Sequence, residues 1–76
     1  MAERVLFYLT QSGTREDKWW LLIEDDGRSF VEHEWRDGDD LHVDDLIEAR
    51  SFLSGSHDAK AQEELRTFEA GRRKRR

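Results

Sequence analysis

The stretch from Lys18 to Trp35 reads KWWLLIEDDGRSFVEHEW and contains all three tryptophans of the chain. Two apolar runs flank Asp26-Gly27. An Asp-Gly pair between such runs is a strong hairpin signal, because glycine supplies a positive φ and aspartate tolerates one. The sequence therefore predicts two antiparallel strands, Lys18 to Glu24 and Ser29 to about Trp35, joined by a two-residue type I′ turn.

A two-residue loop also fixes which side chains lie opposite one another in this hairpin. The predicted pairs on one face are Leu22–Val31, Trp20–His33 and Lys18–Trp35, and those on the other face are Ile23–Phe30, Leu21–Glu32 and Trp19–Glu34. Neither face is polar, whereas a sheet with one solvated face alternates apolar and polar residues. We therefore expect one face to pack under a helix and the other to bury tryptophan against a partner.

The segments around the hairpin complete an α+β fold with the order β-β-β-α-α. Val5–Leu9 is rich in strand-forming residues and predicts a first strand, which gives a three-stranded antiparallel β-meander. Apolar residues three and four apart predict a helix from about Val43 to Leu53. Ser54-Gly55-Ser56 ends it, with Ser56 as the N-cap of a second helix from His57 to about Ala70.

The length and composition of the chain indicate one small domain. Seventy-six residues leave room for a single core. We expect residues 1–70 to form it and residues 71–76 to be a basic, frayed tail. The chain has no cysteine, which fits a reducing cytoplasm and predicts a cytoplasmic protein. No apolar run approaches the roughly 18 residues of a membrane span, so we expect no membrane association.

Catalytic and metal-binding patterns are absent from the sequence. No serine lies in a Gly-x-Ser-x-Gly elbow, and no glycine motif for phosphate binding occurs. His33 and His42 have aspartates nearby, but they are nine residues apart with a loop between them. A calcium loop that starts at Asp37 has His42 where glycine is required. The sequence predicts no enzyme, no metal and no cofactor.

The charges are distributed unevenly along the chain. Residues 1–70 hold all 18 acidic residues and eight of the 13 basic ones, a net charge of −10. The last five residues are all basic. Seven acids lie between Glu32 and Asp45, and so dense a run could mimic a nucleic-acid backbone toward a basic partner. Small inhibitors and regulators of phages and mobile elements use such surfaces, although the same acids also serve solubility alone.

The sequence thus favours a non-catalytic protein–protein interaction module, acting as a homodimer or with another protein, as a regulator or inhibitor. The residues expected to bind the partner are Trp19, Trp20, Trp35, Glu32, Glu34, Asp37, Asp39 and Asp40. One alternative is a nucleic-acid-binding accessory protein, because a basic run can neutralise phosphates. Its contacts would come from Arg72, Arg73, Lys74, Arg75 and Arg76, against the repulsion of the acidic body. A domain with no assignable function is the remaining alternative.

Overall fold

The computed structural model describes residues 3–74, the last two by their backbone alone. Within this range an antiparallel sheet is followed by two helices, which confirms the α+β meander. The strands are β1 (Glu3–Ser12), β2 (Arg15–Ile23), β3 (Ser29–Asp37), β4 (Asp40–Val43) and β5 (Ile47–Glu48), and the helices are α1 (Ala49–Ser54) and α2 (Ala59–Lys74). The sheet order is β1-β2-β3-β4, with β5 paired to β3 beside β4.

The β2–β3 hairpin differs from the prediction by one residue in register. Trp19 pairs with His33 and Leu21 with Val31, because the loop has three residues, Asp25-Asp26-Gly27. The Glu24 amide donates to the Arg28 carbonyl at 2.8 Å and closes this loop. Gly27 alone in the loop has a positive φ, 93°. A type I′ turn needs positive φ at both central residues, and Asp26 does not adopt it.

No element was predicted between Trp35 and Val43, but this segment forms a tight hairpin turn and leads into an additional strand. Gly38 takes a φ of 63° in the turn, and β4 pairs back on β3 with Val43 opposite Glu34. The predicted helix from Val43 is therefore wrong in its first half. The β-branched residues Val43 and Ile47 both pair with β3, and the helix starts only at Ala49.

One extra residue separates the β4 and β5 pairings on β3. Val43 lies opposite Glu34, and four residues later Ile47 lies opposite Val31, three residues back along β3. An extra residue reverses the alternation of side chains across the sheet. Val43 therefore points away from the helices, while Ile47 packs against the core.

The two helices pack on the same face of the sheet and close the core there. Leu21 and Val31 from the sheet meet Phe52 of α1 and Leu65 of α2, and all four are almost fully buried. Helix α2 begins two residues later than expected, because Asp58 and not Ser56 caps it by accepting from the Ala61 amide at 2.9 Å. It also continues four residues past Ala70, as far as Lys74.

Helix α1 is short and is held at its C-terminal end by α2. Gln62 donates from its side-chain amide to the carbonyls of Phe52 and Gly55, each at 2.8 Å. Arg66 donates to the carbonyl of Leu53 at 3.1 Å. These bonds satisfy carbonyls that a six-residue helix leaves without internal partners.

Candidate interaction surface

The sheet face opposite the helices is not covered by any element of residues 3–74, and we call it the open face. Its members follow from the pairing register, since residues directly opposite each other share a face. They are Arg4, Leu6, Leu9 and Gln11 on β1; Glu16, Lys18, Trp20 and Leu22 on β2; Phe30, Glu32, Glu34 and Arg36 on β3; Leu41 and Val43 on β4; and Glu48 on β5. Both helices of the described range pack on the other side.

Large apolar side chains are exposed along both margins of the open face. Leu6 and Leu9 on β1 are 39% and 46% exposed, and Leu41 and Val43 on β4 are 51% and 56% exposed. A folded chain of this size gains nothing in stability from leaving these side chains in water. Apolar groups gathered on one uncovered face are typical of an interaction site.

The middle of the open face carries a polar network built around Trp20. The Trp20 Nε1–H donates to Glu34 Oε1 at 3.0 Å. The Arg4 guanidinium lies 3.7 Å from the centre of the Trp20 ring and donates to Glu32 Oε1 at 2.7 Å. Its distance to Glu34 Oε1 is 3.4 Å. The network holds the indole in one orientation, because one ring face and its only N–H are both engaged.

The charges on the open face nearly balance. Its three basic residues are Arg4, Lys18 and Arg36, and its four acidic residues are Glu16, Glu32, Glu34 and Glu48. Residues 1–70 as a whole carry a net charge of −10, so nearly all of the excess of acid lies away from this face.

Of the predicted partner-binding residues, the structure brings three together on the open face: Trp20, Glu32 and Glu34. Trp19 is only 9% exposed and lies in the core between His33 and Phe52, so its assignment to a partner surface is corrected. Trp35 is partly buried and lies on the helix side of the sheet. There it stacks on His42 at 4.2 Å, with the Arg15 guanidinium 4.2 Å from its ring centre.

The three predicted aspartates are not part of the open face. Asp37 accepts from the Thr14 hydroxyl at 2.8 Å, and Asp39 and Asp40 lie exposed at the β3–β4 turn. The acidic run of the sequence is thus divided among the open face, this turn and the helix side of the sheet, where Asp44 contacts His33 at 3.0 Å.

The basic C-terminal residues lie only partly within the described range. The Arg72 guanidinium is 6.0 Å from the ring centre of Phe68 on α2. Arg73 and Lys74 continue the backbone of that helix. Arg75 and Arg76 lie outside the described residues, and the nucleic-acid hypothesis for this segment stays a prediction.

Sequence reasoning missed the apolar margins of the open face. Leu41 and Val43 were assigned to a loop and a helix, although Asp40-Leu41-His42-Val43 alternates polar and apolar residues as a half-exposed strand does. Leu6 and Leu9 were assigned to a strand of unknown orientation. A bulge at Phe7 lies between them, and it puts residues three apart on the same face.

A second cluster lies on the helix side of the sheet around His33. The ring stacks on Trp19 with 3.8 Å between ring centres and 2° between planes. Its Nε2 lies 2.8 Å from Asp17 Oδ1, and its Nδ1 lies 3.0 Å from Asp44 Oδ2. The hydrogen bonds from Arg15, followed in size by that from His33, hold the pKa of Asp17 below its ordinary value against the opposing effect of partial burial.

Among the cavities lined by residues of the described range, one of about 750 Å³ opens between the β2–β3 turn and the helices, and both acidic and basic side chains line it. A smaller one of about 200 Å³ lies beside His33 and also touches His57 and Asp58. Among residues 3–74, no three His, Asp or Glu side chains are arranged to hold a metal ion. No helix in this range is long and apolar enough to cross a membrane.

Comparison of the chain with protein-family models, with curated proteins and with solved structures finds no match in any of the three.

Proposed function

We propose that the protein is a non-catalytic protein–protein interaction module that forms a homodimer by packing the open faces of two copies together. The observation that carries this proposal is a nearly neutral face with exposed apolar margins on an otherwise acidic body. Residues 1–70 of each copy carry a net charge of −10, so two copies repel each other in most orientations. Approach through the nearly neutral face keeps that repulsion small.

The layout of the open face is self-complementary. A two-fold axis parallel to the strands places β1 of one copy over β4 of the other, and an axis across the strands places β1 over β1. In both cases an apolar margin meets an apolar margin, because Leu6 and Leu9 line one side and Leu41 and Val43 the other. The Trp20 ring then lies near the centre of the interface, where aromatic residues contribute most to affinity.

A stable homodimer requires that most of the open face is buried in the interface. Four strands about 4.8 Å apart and about eight residues long outline roughly 500 Å² before side-chain relief is counted. A standard interface buries about 800 Å² on each partner. Contacts limited to one margin would therefore be too small.

We assign the dimer a role as a small cytoplasmic regulator or inhibitor. After pairing, the part of residues 1–70 outside the open face still carries fourteen acidic and five basic side chains in each copy. Such a surface favours a basic target, and the lack of cysteine fits a reducing compartment.

Light scattering after size exclusion, at low and at high salt, tests the homodimer directly. We expect a mass near twice 9.1 kDa that persists at high salt, because apolar contacts are not screened. Trp20→Ala should weaken association at least about tenfold, as expected for a central aromatic. Trp35→Ala is the matched control, because this tryptophan is also partly buried but lies on the other side of the sheet.

A second pair of variants guards against loss of folding in Trp20→Ala. Val43→Lys places a charge on the open face at an exposed position, so the monomer should fold while the dimer dissociates. Thr67→Lys adds the same charge on the exposed surface of α2 and should leave the dimer intact. A monomer at about 100 μM, far above a micromolar Kd, would overturn the homodimer. Equal effects of Trp20→Ala and Trp35→Ala would overturn the assigned face.

A further inference from the structure

The side chains of Asp17, His33 and Asp44 form a bridge across three segments of the chain, which we call the histidine bridge. Asp17 belongs to β2, His33 to β3, and Asp44 follows β4 directly. Both ring nitrogens of His33 lie within hydrogen-bond distance of a carboxylate oxygen, at 2.8 Å and 3.0 Å. The ring is largely enclosed, with only 16% of the side chain exposed.

The two hydrogen bonds of the bridge form together only with the doubly protonated ring. An ionised carboxylate only accepts hydrogen bonds, and a neutral imidazole has a single N–H to donate. Only the imidazolium can therefore donate to Asp17 and Asp44 at once. The ring also stacks parallel on Trp19, and the face of an indole attracts a cation.

The bridge fixes the C-terminal end of β4 to β3. Asp44 is bound twice to His33, through the ring and through its own amide, which donates to the His33 carbonyl at 3.0 Å. The extra residue that reverses the side-chain alternation follows between Asp44 and Ile47. Fixing Asp44 therefore fixes the end of β4, which carries Leu41 and Val43.

Loss of one proton from His33 breaks the bridge at a definite end. The Asp17 carboxylate is 17% exposed and oriented by Arg15, whereas Asp44 is 54% exposed and is readily hydrated. The neutral ring therefore keeps its N–H toward Asp17, because the more enclosed acceptor loses more when it is unpaired. Asp44 is released.

We propose that the histidine bridge is a proton-dependent lock that fixes β4 to the sheet when His33 is charged and releases it when His33 is neutral. The ionisable groups around the ring are Asp17 and Arg15 from β2, Asp44 and Asp45 after β4, and His57 and Asp58 before α2. The lock operates within one chain and does not depend on the homodimer.

The lock is tested by NMR on the full chain, following the His33 Cε1–H shift and the amide-exchange protection factors of β4 over the same pH series. The amides of His42 and Asp44 point toward β3 in the ladder, and we expect their protection, corrected for the intrinsic exchange rate, to fall at least about tenfold as His33 loses its proton. Protection at Leu21 in the core should stay constant. Protection factors in β4 that stay constant while His33 titrates would overturn the lock.

Variants separate His33 from the other histidines. Asp44→Asn keeps the shape of the side chain and should abolish the pH dependence in β4, even if His33→Gln fails to fold. His42→Gln and His57→Gln each remove another titratable ring, stacked on Trp35 and on Phe52, and should leave the pH dependence unchanged. A pH dependence that persists in Asp44→Asn would also overturn the lock. The same series on Trp20→Ala should match wild type, which separates this result from the fate of the homodimer.

Discussion

Neighbouring residues in β2 have opposite roles, and Trp19 and Trp20 show this most clearly. Trp19 is part of the core, and Trp20 lies on the open face. The sequence was sufficient to put them on opposite faces, because side chains alternate along a strand. It could not show which one is buried, since that depends on where the helices pack. Because the predicted register was wrong by one residue, it placed His33 on the same face as Trp20, whereas His33 pairs with Trp19 on the helix side of the sheet.

At the residue scale, Asp17 should make stability depend on pH on the acid side. Its folded pKa is lowered, chiefly by Arg15, so its contribution is present above the ordinary value of about 3.9 and is lost as the pH falls through the folded value. Asp17→Asn should therefore flatten the fall in unfolding free energy below about pH 4.

The control for Asp17 is Glu63, whose pKa Lys60 also lowers on an exposed part of α2. Because water screens that pair, Glu63→Gln should change the acid dependence much less. Chemical denaturation at a series of pH values measures both slopes. Equal slopes for Asp17→Asn and wild type would contradict the prediction.

At the scale of elements, the sequence predicts the position of a hairpin turn better than the length and type of its loop. Gly27 and Gly38 both stand at turns, as their sequence context indicated for Gly27. The length of the β2–β3 loop depends on the φ that Asp26 adopts, and short-range patterns do not fix it. Strand β4 was missed because apolar residues from Val43 onward also fit a helical period. Pairing with β3, a contact distant in sequence, decides between them.

Two glycine substitutions should have opposite effects on stability. Gly27→Ala places a side chain at a φ of 93° and should destabilise the protein by about 1–2 kcal/mol. Gly71→Ala lies within α2 with open space around it and should stabilise the helix by up to about 1 kcal/mol. Urea denaturation measures both. Destabilisation by Gly71→Ala would show that α2 is constrained at that point.

At the scale of the whole molecule, the helices and the open face divide the sheet into a core side and a side that we propose for association. The small core, with Leu21, Val31, Phe52 and Leu65 fully enclosed, leaves the apolar residues of the open face outside it. From the sequence, the excess of aromatic and apolar residues on the hairpin predicted that both faces of the sheet are buried. The balance of charge on that face depends on register, and it emerges only from the folded sheet.

If the homodimer is correct, its thermal midpoint should rise with protein concentration. Association stabilises the folded state by mass action, whereas the unfolded chain does not pair. Calorimetry over about a hundredfold range of concentration should show a rising midpoint for wild type and a constant one for Val43→Lys. A midpoint independent of concentration in both would indicate a domain that is stable as a monomer.

The extra residue between β4 and β5 also constrains how this chain can change. Residues 44–46 connect Val43, which lies on the open face, with Ile47, which faces the core. Only the number of residues between them brings the Ile47 side chain to the core side of the sheet. Substitutions at Asp45 or Leu46 leave that number intact. A single-residue deletion there would move the side chains of Ile47 and Glu48 to the opposite faces of the sheet. Positions 45 and 46 are therefore open to variation in composition, whereas the length of the segment is fixed.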